Sequence, residues 1–192
     1  IAAATRVTNP GCYACGSVAI LHPLVSAGLV PTNHATAINA VSGYSGGGKG
    51  LIARMEDADA ENAIENQWFG YGLALAHKHV PEMQEYSALE HPPLFSPSVG
   101  RFRQGMVVQV PLQLWSLPSL PSVGEIREIL KAWYQGCTFV TVADDAETVD
   151  RASLLDPEEL NDTNRLRLFV FGNEDTKQVI LAAQLDNLGK GA

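Results

Sequence analysis

Long apolar runs are missing from this chain of 192 residues, and so is any cluster of positive charge. A membrane-spanning helix needs about 20 predominantly apolar residues in a row. No such stretch occurs, so no membrane partner is expected. Lys and Arg total 13 against 21 Asp and Glu, a net charge of −8. Binding to nucleic acid needs a basic stripe that neutralises phosphates, and its absence excludes that partner. Cysteine is scarce and odd in number, with thiols at 12, 15 and 137. An odd count without secretory features predicts free thiols in a reducing, cytoplasmic setting. Cys12 and Cys15 have the spacing of a redox pair or of half a zinc site. A closed zinc site needs two more ligands at similar spacing, and Cys137 stands alone, so no metal is expected.

What is present is a globular composition. Hydrophobic residues make up 46% and charged residues 18%, enough to bury a core within one ordinary domain. Val7-Thr8 is read as the end of a short strand. From Cys12 to Ala27 apolar residues recur at Ala14, Val18, Leu21 and Val25, the period of a core-facing helix. Gly28 closes it, and Pro23 is expected to kink or shorten it. Residues 34–42 and 106–114 read as strands, with Pro111 marking an edge or a bulge. A short helix is expected around 51–60, and another from Pro81 to Leu89. The clearest helix follows Ser122, its N-cap, with Ile126, Ile129, Leu130 and Trp133 as the buried face. Residues 138–142 read as a strand. Two alternating runs around Gly-Asn-Glu-Asp read as a hairpin. Helices mixed with antiparallel hairpins predict an α+β fold, a mixed and largely antiparallel sheet with helices on one face.

Four stretches bear chemistry. "NPGCYACG", residues 9–16, puts Cys12 where a turn opens a helix. Cysteine there can simply pack as a small hydrophobe. Alternatively, the helix start lowers the thiol's pKa and makes it a nucleophile. "HKHVPE" carries His77 and His79 one residue apart. On a strand they would share a face, with Glu82 following in the first turn of a helix. A cysteine and a distant histidine are the minimum for thiol catalysis, because the imidazole takes and returns the thiol's proton. "GYSGGGKG" matches G-x-x-x-x-G-K, but Gly50 stands where a phosphate loop needs Ser or Thr for magnesium. Binding of a nucleoside triphosphate is rejected, while a backbone wrap around an anion stays open. Arg101 and Arg103 would face one way if their stretch is extended. They would then suit a carboxylate or phosphate, although surface pairing with acids is the commoner use of arginine.

Taken in order from residue 9 to 192, "NPGCYA", "AVSGYSGGGKG", "HKHVPE", "PSVGRFRQGM" and "LDNLGKGA" resemble the N-acetyl-gamma-glutamyl-phosphate reductases, in particular the shorter bacterial form. The resemblance implies the fold of the C-terminal domain of glyceraldehyde-phosphate dehydrogenase. It also implies roles. Cys12 corresponds to the thiolate nucleophile and His79 to the acid/base group. His77, Glu82, Arg101, Arg103, Ser42 and Tyr44 correspond to the substrate site. Asn187 and Gly46 correspond to positions near the cofactor, NADP(H). The implied reaction is an NADPH-dependent reductive dephosphorylation of an acyl phosphate, through a cysteine thioester, within arginine biosynthesis. Cys15 stands where the family usually has a small hydroxyl residue, which makes the C-x-x-C coincidental.

The family opens with a dinucleotide-binding domain and ends in a helix past "LGKGA". The chain begins at Ile1, not Met. Residues 1–192 are therefore expected to be a catalytic and dimerisation domain that binds a small-molecule substrate, assembles as a homo-dimer or homo-tetramer, and takes most of its NADP contacts from a domain elsewhere. Alone it is expected to be inactive. Three alternatives stand beside this reading. One is a reductase of aminoadipyl or aspartyl phosphate. Another is a non-catalytic assembly module with an inert Cys12. The third is a thiol–disulfide protein using Cys12 and Cys15.

Overall fold

The computed structural model describes residues 3–190. Ile1 and the last two residues of "LDNLGKGA" fall outside them. Among the described residues, seven strands form one sheet in the order β2-β3-β1-β4-β7-β6-β5. They are β1 (Ala37–Gly43), β2 (Trp68–Gly70), β3 (Leu94–Gly100), β4 (Met106–Gln113), β5 (Val140–Val142), β6 (Leu166–Asn173) and β7 (Gln178–Leu185). β1 runs parallel to β3 and β5 parallel to β6, and the remaining neighbours are antiparallel. The helices are α1 (Cys12–Ser26), α2 (Gly48–Glu56), α3 (Val80–Tyr86), α4 (Val123–Trp133) and α5 (Asp145–Arg151). The fold is α+β with a mixed, mostly antiparallel sheet, as the sequence pattern predicts.

Alternation along the strands divides the sheet into two faces. Met106, Val108, Val110 and Leu112 of β4, with Val179, Leu181, Ala183 and Leu185 of β7, turn into one large core beneath the helices. α1 and α4 lie on that face, and α3 packs against α1. α1 is buried nearly all round, so small residues set its distance from the sheet. A Cβ on Gly16 would lie 2.7 Å from a Val108 methyl. Pro23 does not end α1, since the helix continues to Ser26. Proline offers no N–H to the Ala19 carbonyl one turn back. The Tyr134 hydroxyl donates to that carbonyl instead, at 2.8 Å. Gly28 takes φ +71° just past the helix, the left-handed conformation expected there.

Other expectations are corrected. Val7-Thr8 is not a strand. β4 is central rather than an edge. Pro111 fits because β1 pairs only with Met106–Gln109, leaving that flank of β4 without a partner at Pro111. Helix α2 begins at Gly48 and ends by Glu56, earlier than expected, and α3 stops at Tyr86. The strand expected over 138–142 shortens to β5. Ser122 caps α4 through a full capping box with Glu125, and Ile126 and Leu130 are buried. Trp133 is exposed, resting edge-on against His22. The stretch holding Arg101 and Arg103 is a bend, not extended chain. His77 to His79 form a turn leading into α3, not a strand.

Candidate active site

Cys12 is the first residue of α1, and Gly11 is its N-cap, with φ −64° and ψ 138°. The thiol is 6% exposed. Two effects compete there. Burial disfavours the thiolate. The N–H groups of Tyr13 and Cys12 and the Lys78 ammonium favour it, while the Glu82 carboxylate opposes it. Burial is the largest, so the thiol is pushed up from its ordinary range. The helix start alone predicts the opposite direction. The structure thus describes a resting, protonated thiol with anion-stabilising groups already around it.

His79 caps α3 and is 8% exposed. Its ring lies flush against Gly11. A Cβ on that glycine would lie 2.5 Å from Nε2 and 2.6 Å from Cδ2. Nδ1 is buried with no hydrogen-bond partner in the protein. Burial, then the neighbouring His77 and Lys78, lower the imidazole to about 4. At neutral pH His79 is therefore uncharged, and burial makes it a weaker base than a solvated imidazole. Glu82 ties the two helix starts together, for both of its carboxylate oxygens accept from the Gly11 N–H at 3.2 Å.

His77 lies beside His79, with ring centroids 4.8 Å apart. The strand geometry that would explain this is absent. The turn into α3 brings the rings together edge to face instead. His77 Nδ1 accepts from the His79 backbone N–H at 3.1 Å. Its Nε2 lies 3.3 Å from the Tyr71 hydroxyl, which donates to the Tyr13 hydroxyl at 3.0 Å.

A cavity of about 370 Å³ opens beside His77, lined by Tyr13, Ser42, Gly46, Tyr71, His77 and Lys78 among others, while Cys12 and His79 lie behind this lining rather than in it. Ser42, buried at the end of β1, donates to the Gly43 carbonyl. Gly46 is exposed and without a side chain. A Cβ there would stand 3.2 Å from Ser42 Oγ and 3.4 Å from Asn187 Nδ2. Asn187, buried, accepts from the Gly105 N–H at 2.8 Å and donates to Ser45 Oγ at 3.1 Å. Its amide staples the glycine loop to the start of β4.

The remaining residues singled out from the sequence sit differently. Arg101 donates to the carbonyls of Ile64 and Met55. Arg103 pairs with Glu56, which also accepts from the Tyr44 hydroxyl. None of these three side chains lines the cavity. The backbone around Arg103 does shape the loop, since the Tyr44 and Ser45 N–H groups donate to the Phe102 and Arg103 carbonyls. Cys15 is half-buried and donates to the Lys190 carbonyl at 3.4 Å, and no disulfide joins it to Cys12. Tyr13, Tyr71 and Lys78 escape sequence reasoning. Lys78 was legible, as the cation between the two histidines. Tyr13 was legible only as the neighbour of Cys12, and Tyr71 not at all.

Residues 12–187 match the family model described as semialdehyde dehydrogenase, dimerisation domain. The chain is 50% identical over 192 residues to a Brucella ovis protein named N-acetyl-gamma-glutamyl-phosphate reductase, covering all of this chain and 62% of the relative. It is 48% identical over 197 residues to a Nostoc protein named N-acetyl-gamma-glutamyl-phosphate reductase 2, covering 61% of it. The chain thus spans less than two thirds of these relatives' length. Among solved structures it resembles aspartate semialdehyde dehydrogenase II from Vibrio cholerae, with a TM-score of 0.64 at 14% identity, covering 97% of this chain and 58% of that one. Aspartate semialdehyde dehydrogenase from Francisella tularensis gives 0.63 at 13% identity, covering 93% and 59%. At such identities these two establish the fold alone.

Proposed function

The chain belongs to the semialdehyde dehydrogenase dimerisation-domain family, and we propose that it forms the catalytic part of an NADPH-dependent N-acetyl-gamma-glutamyl-phosphate reductase. The observation that carries this reading is the imidazole of His79 seated on Gly11, at the helix start that presents the Cys12 thiol. In this reading the proton of Cys12 passes to His79 once substrate fills the site. The sulfur then attacks the acyl carbon, a bond to sulfur forms, and phosphate leaves with the bonding electrons. A thioester on Cys12 results. After reduction the thiohemiacetal collapses, His79 managing the proton, and the thiol is restored with release of the semialdehyde. A thiolate is both a strong nucleophile and a good leaving group, which splits one hard step into two easier ones. The N–H groups at the start of α1 suit the oxyanion of the tetrahedral stages. Lys78, at the cavity, supplies the charge for the phosphate.

NADPH, when bound, supplies the hydride. Gly46 would suit the cofactor, because it lines the cavity next to Ser42 with no side chain of its own in the way. Most of the nucleotide's contacts, in our proposal, come from the part of the relatives that this chain does not span. Arg103 and Tyr44 act on the loop rather than on the reacting carbon.

We also place the contact between copies of the chain on the outer sheet face. Asn39, Val41, Ser96, Gln109, Gln113 and Ile180 line two broad depressions there, whose linings contain no charged side chain. Two copies carrying −8 each repel wherever charged surfaces meet, so a neutral half-apolar face is the one that self-association can cover.

Full-length protein tests the reading. It should oxidise NADPH with N-acetyl-gamma-glutamyl phosphate at least tenfold better, in kcat/KM, than with aminoadipyl or aspartyl phosphate. A preference for aspartyl or aminoadipyl phosphate would replace this reading.

A further inference from the structure

The bonds around His77 determine where its proton sits. The His79 backbone N–H points at Nδ1 from 3.1 Å. A hydrogen on Nδ1 would set two donors face to face, so the ring's one proton is on Nε2. From there it is donated to the Tyr71 hydroxyl at 3.3 Å. Tyr71 passes its own hydrogen to Tyr13 at 3.0 Å, and Tyr13 donates to the Ser98 carbonyl at 3.5 Å, the loosest link. A backbone donor fixes one end of the chain and a backbone acceptor the other, so every bond runs in one direction.

The ring is also held sterically. Its centroid lies 5.6 Å from Tyr13, 5.7 Å from Tyr71 and 5.1 Å from Phe95, each in an edge-to-face arrangement. We infer that Tyr13 and Tyr71 are positioning residues that hold His77 as the uncharged Nε2–H tautomer, and through its Nδ1 hold the backbone that aims His79. The role toward His79 rests on the functional reading above, whereas the tautomer does not.

The consequence is chemical. Protonating His77 would break its bond to the His79 N–H. It would also set an imidazolium 4.8 Å from His79, the group that must itself become positive. The ionisable groups around His77 are Tyr13 from α1, Tyr71 from the loop after β2, and Lys78 and His79 beside it, while β3 offers Phe95. Burial and Lys78 both lower the His77 pKa, in the direction this arrangement requires.

The test is nitrogen NMR of the histidine rings in the 15N-labelled chain, with His77 assigned by comparison with His77→Gln. At pH 7 His77 should show one neutral Nε2–H tautomer. Tyr71→Phe should turn this into an averaged pattern that titrates at higher pH. It should also slow alkylation of Cys12 by iodoacetamide about three- to tenfold, the equivalent of one hydrogen bond. Tyr13→Phe, which leaves the first acceptor in place, should give a smaller change of the same sign. A charged or Nδ1–H His77 in the unaltered chain overturns the proposal, and so do ring signals unchanged by both tyrosine substitutions. If Tyr71→Phe fails to fold, the unaltered chain and Tyr13→Phe still decide. An inert Cys12 beside a correctly protonated His77 would overturn the catalytic reading and leave the tautomer lock supported.

Discussion

Replacing Gly11 by alanine isolates the contact on which the proposed chemistry depends. The backbone at Gly11, φ −64° and ψ 138°, is one that alanine adopts without strain. The added methyl would instead meet the His79 ring, at 2.5 Å from Nε2, 2.6 Å from Cδ2 and 2.7 Å from Cε1. Ordinary carbon contacts are about 3.5–4.0 Å, so the ring must retreat by about 1 Å. A displacement of that size at a catalytic group costs about 100-fold in rate. The stability cost is that of a local overpacking, about 1–3 kcal/mol, with up to about 1 kcal/mol more for losing a glycine N-cap. The assay pairs kcat of the full-length Gly11→Ala enzyme with its thermal melt. A loss near two orders of magnitude in a folded enzyme is expected. A rate within threefold of the unaltered enzyme would refute the placement of His79 over the nucleophile's helix start.

Further outcomes follow from the same contacts. His79 is lowered to about 4 in the fold against about 6.5 when unfolded. The unfolded chain therefore binds more protons between those values, and stability must fall as pH drops from 6.5 toward 4. A pH series of denaturant melts should show this, with a contribution of roughly 3 kcal/mol at most, and His79→Gln should flatten it. Burial is the main reason the Cys12 thiol is raised, and the Glu82 charge adds a smaller push; Glu82→Gln keeps an acceptor for the Gly11 N–H but removes that push. The alkylation profile of Cys12 should move to lower pH, and a move to higher pH would contradict the electrostatics. Ile180→Asp puts charge on the neutral outer face, and sedimentation should then show a shift toward single copies.

Much of the fold was legible because its signals are local. α1, the capped α4 and the β6–β7 hairpin each announce themselves within about twenty residues through period, cap and turn. β2 and β3 do not. β2 has only three residues, and β3 carries Pro97 in a short stretch whose pairing with β1 joins segments far apart in sequence. Helix α5, polar along most of its length, has no apolar stripe to reveal it. At the site, the chemistry-bearing residue types could be read directly, but their arrangement could not. His77 and His79 do meet, through a turn rather than a strand. Tyr71 reaches Tyr13 across 58 positions and Glu82 reaches Gly11 across 71. No local pattern encodes such contacts. Arg101 shows the reverse limit, since its guanidinium is spent on two carbonyls that only the folded chain brings to it.

The proposed chemistry requires that Cys12 carry the acyl group. Its most direct test is to mix full-length protein with N-acetyl-gamma-glutamyl phosphate without NADPH, quench in acid, and map the adduct by peptide mass spectrometry. An N-acetylglutamyl thioester should appear on Cys12, absent in Cys12→Ser and far slower to form in His79→Gln. An unmodified Cys12, or an adduct on Cys15 or Cys137 instead, would contradict it.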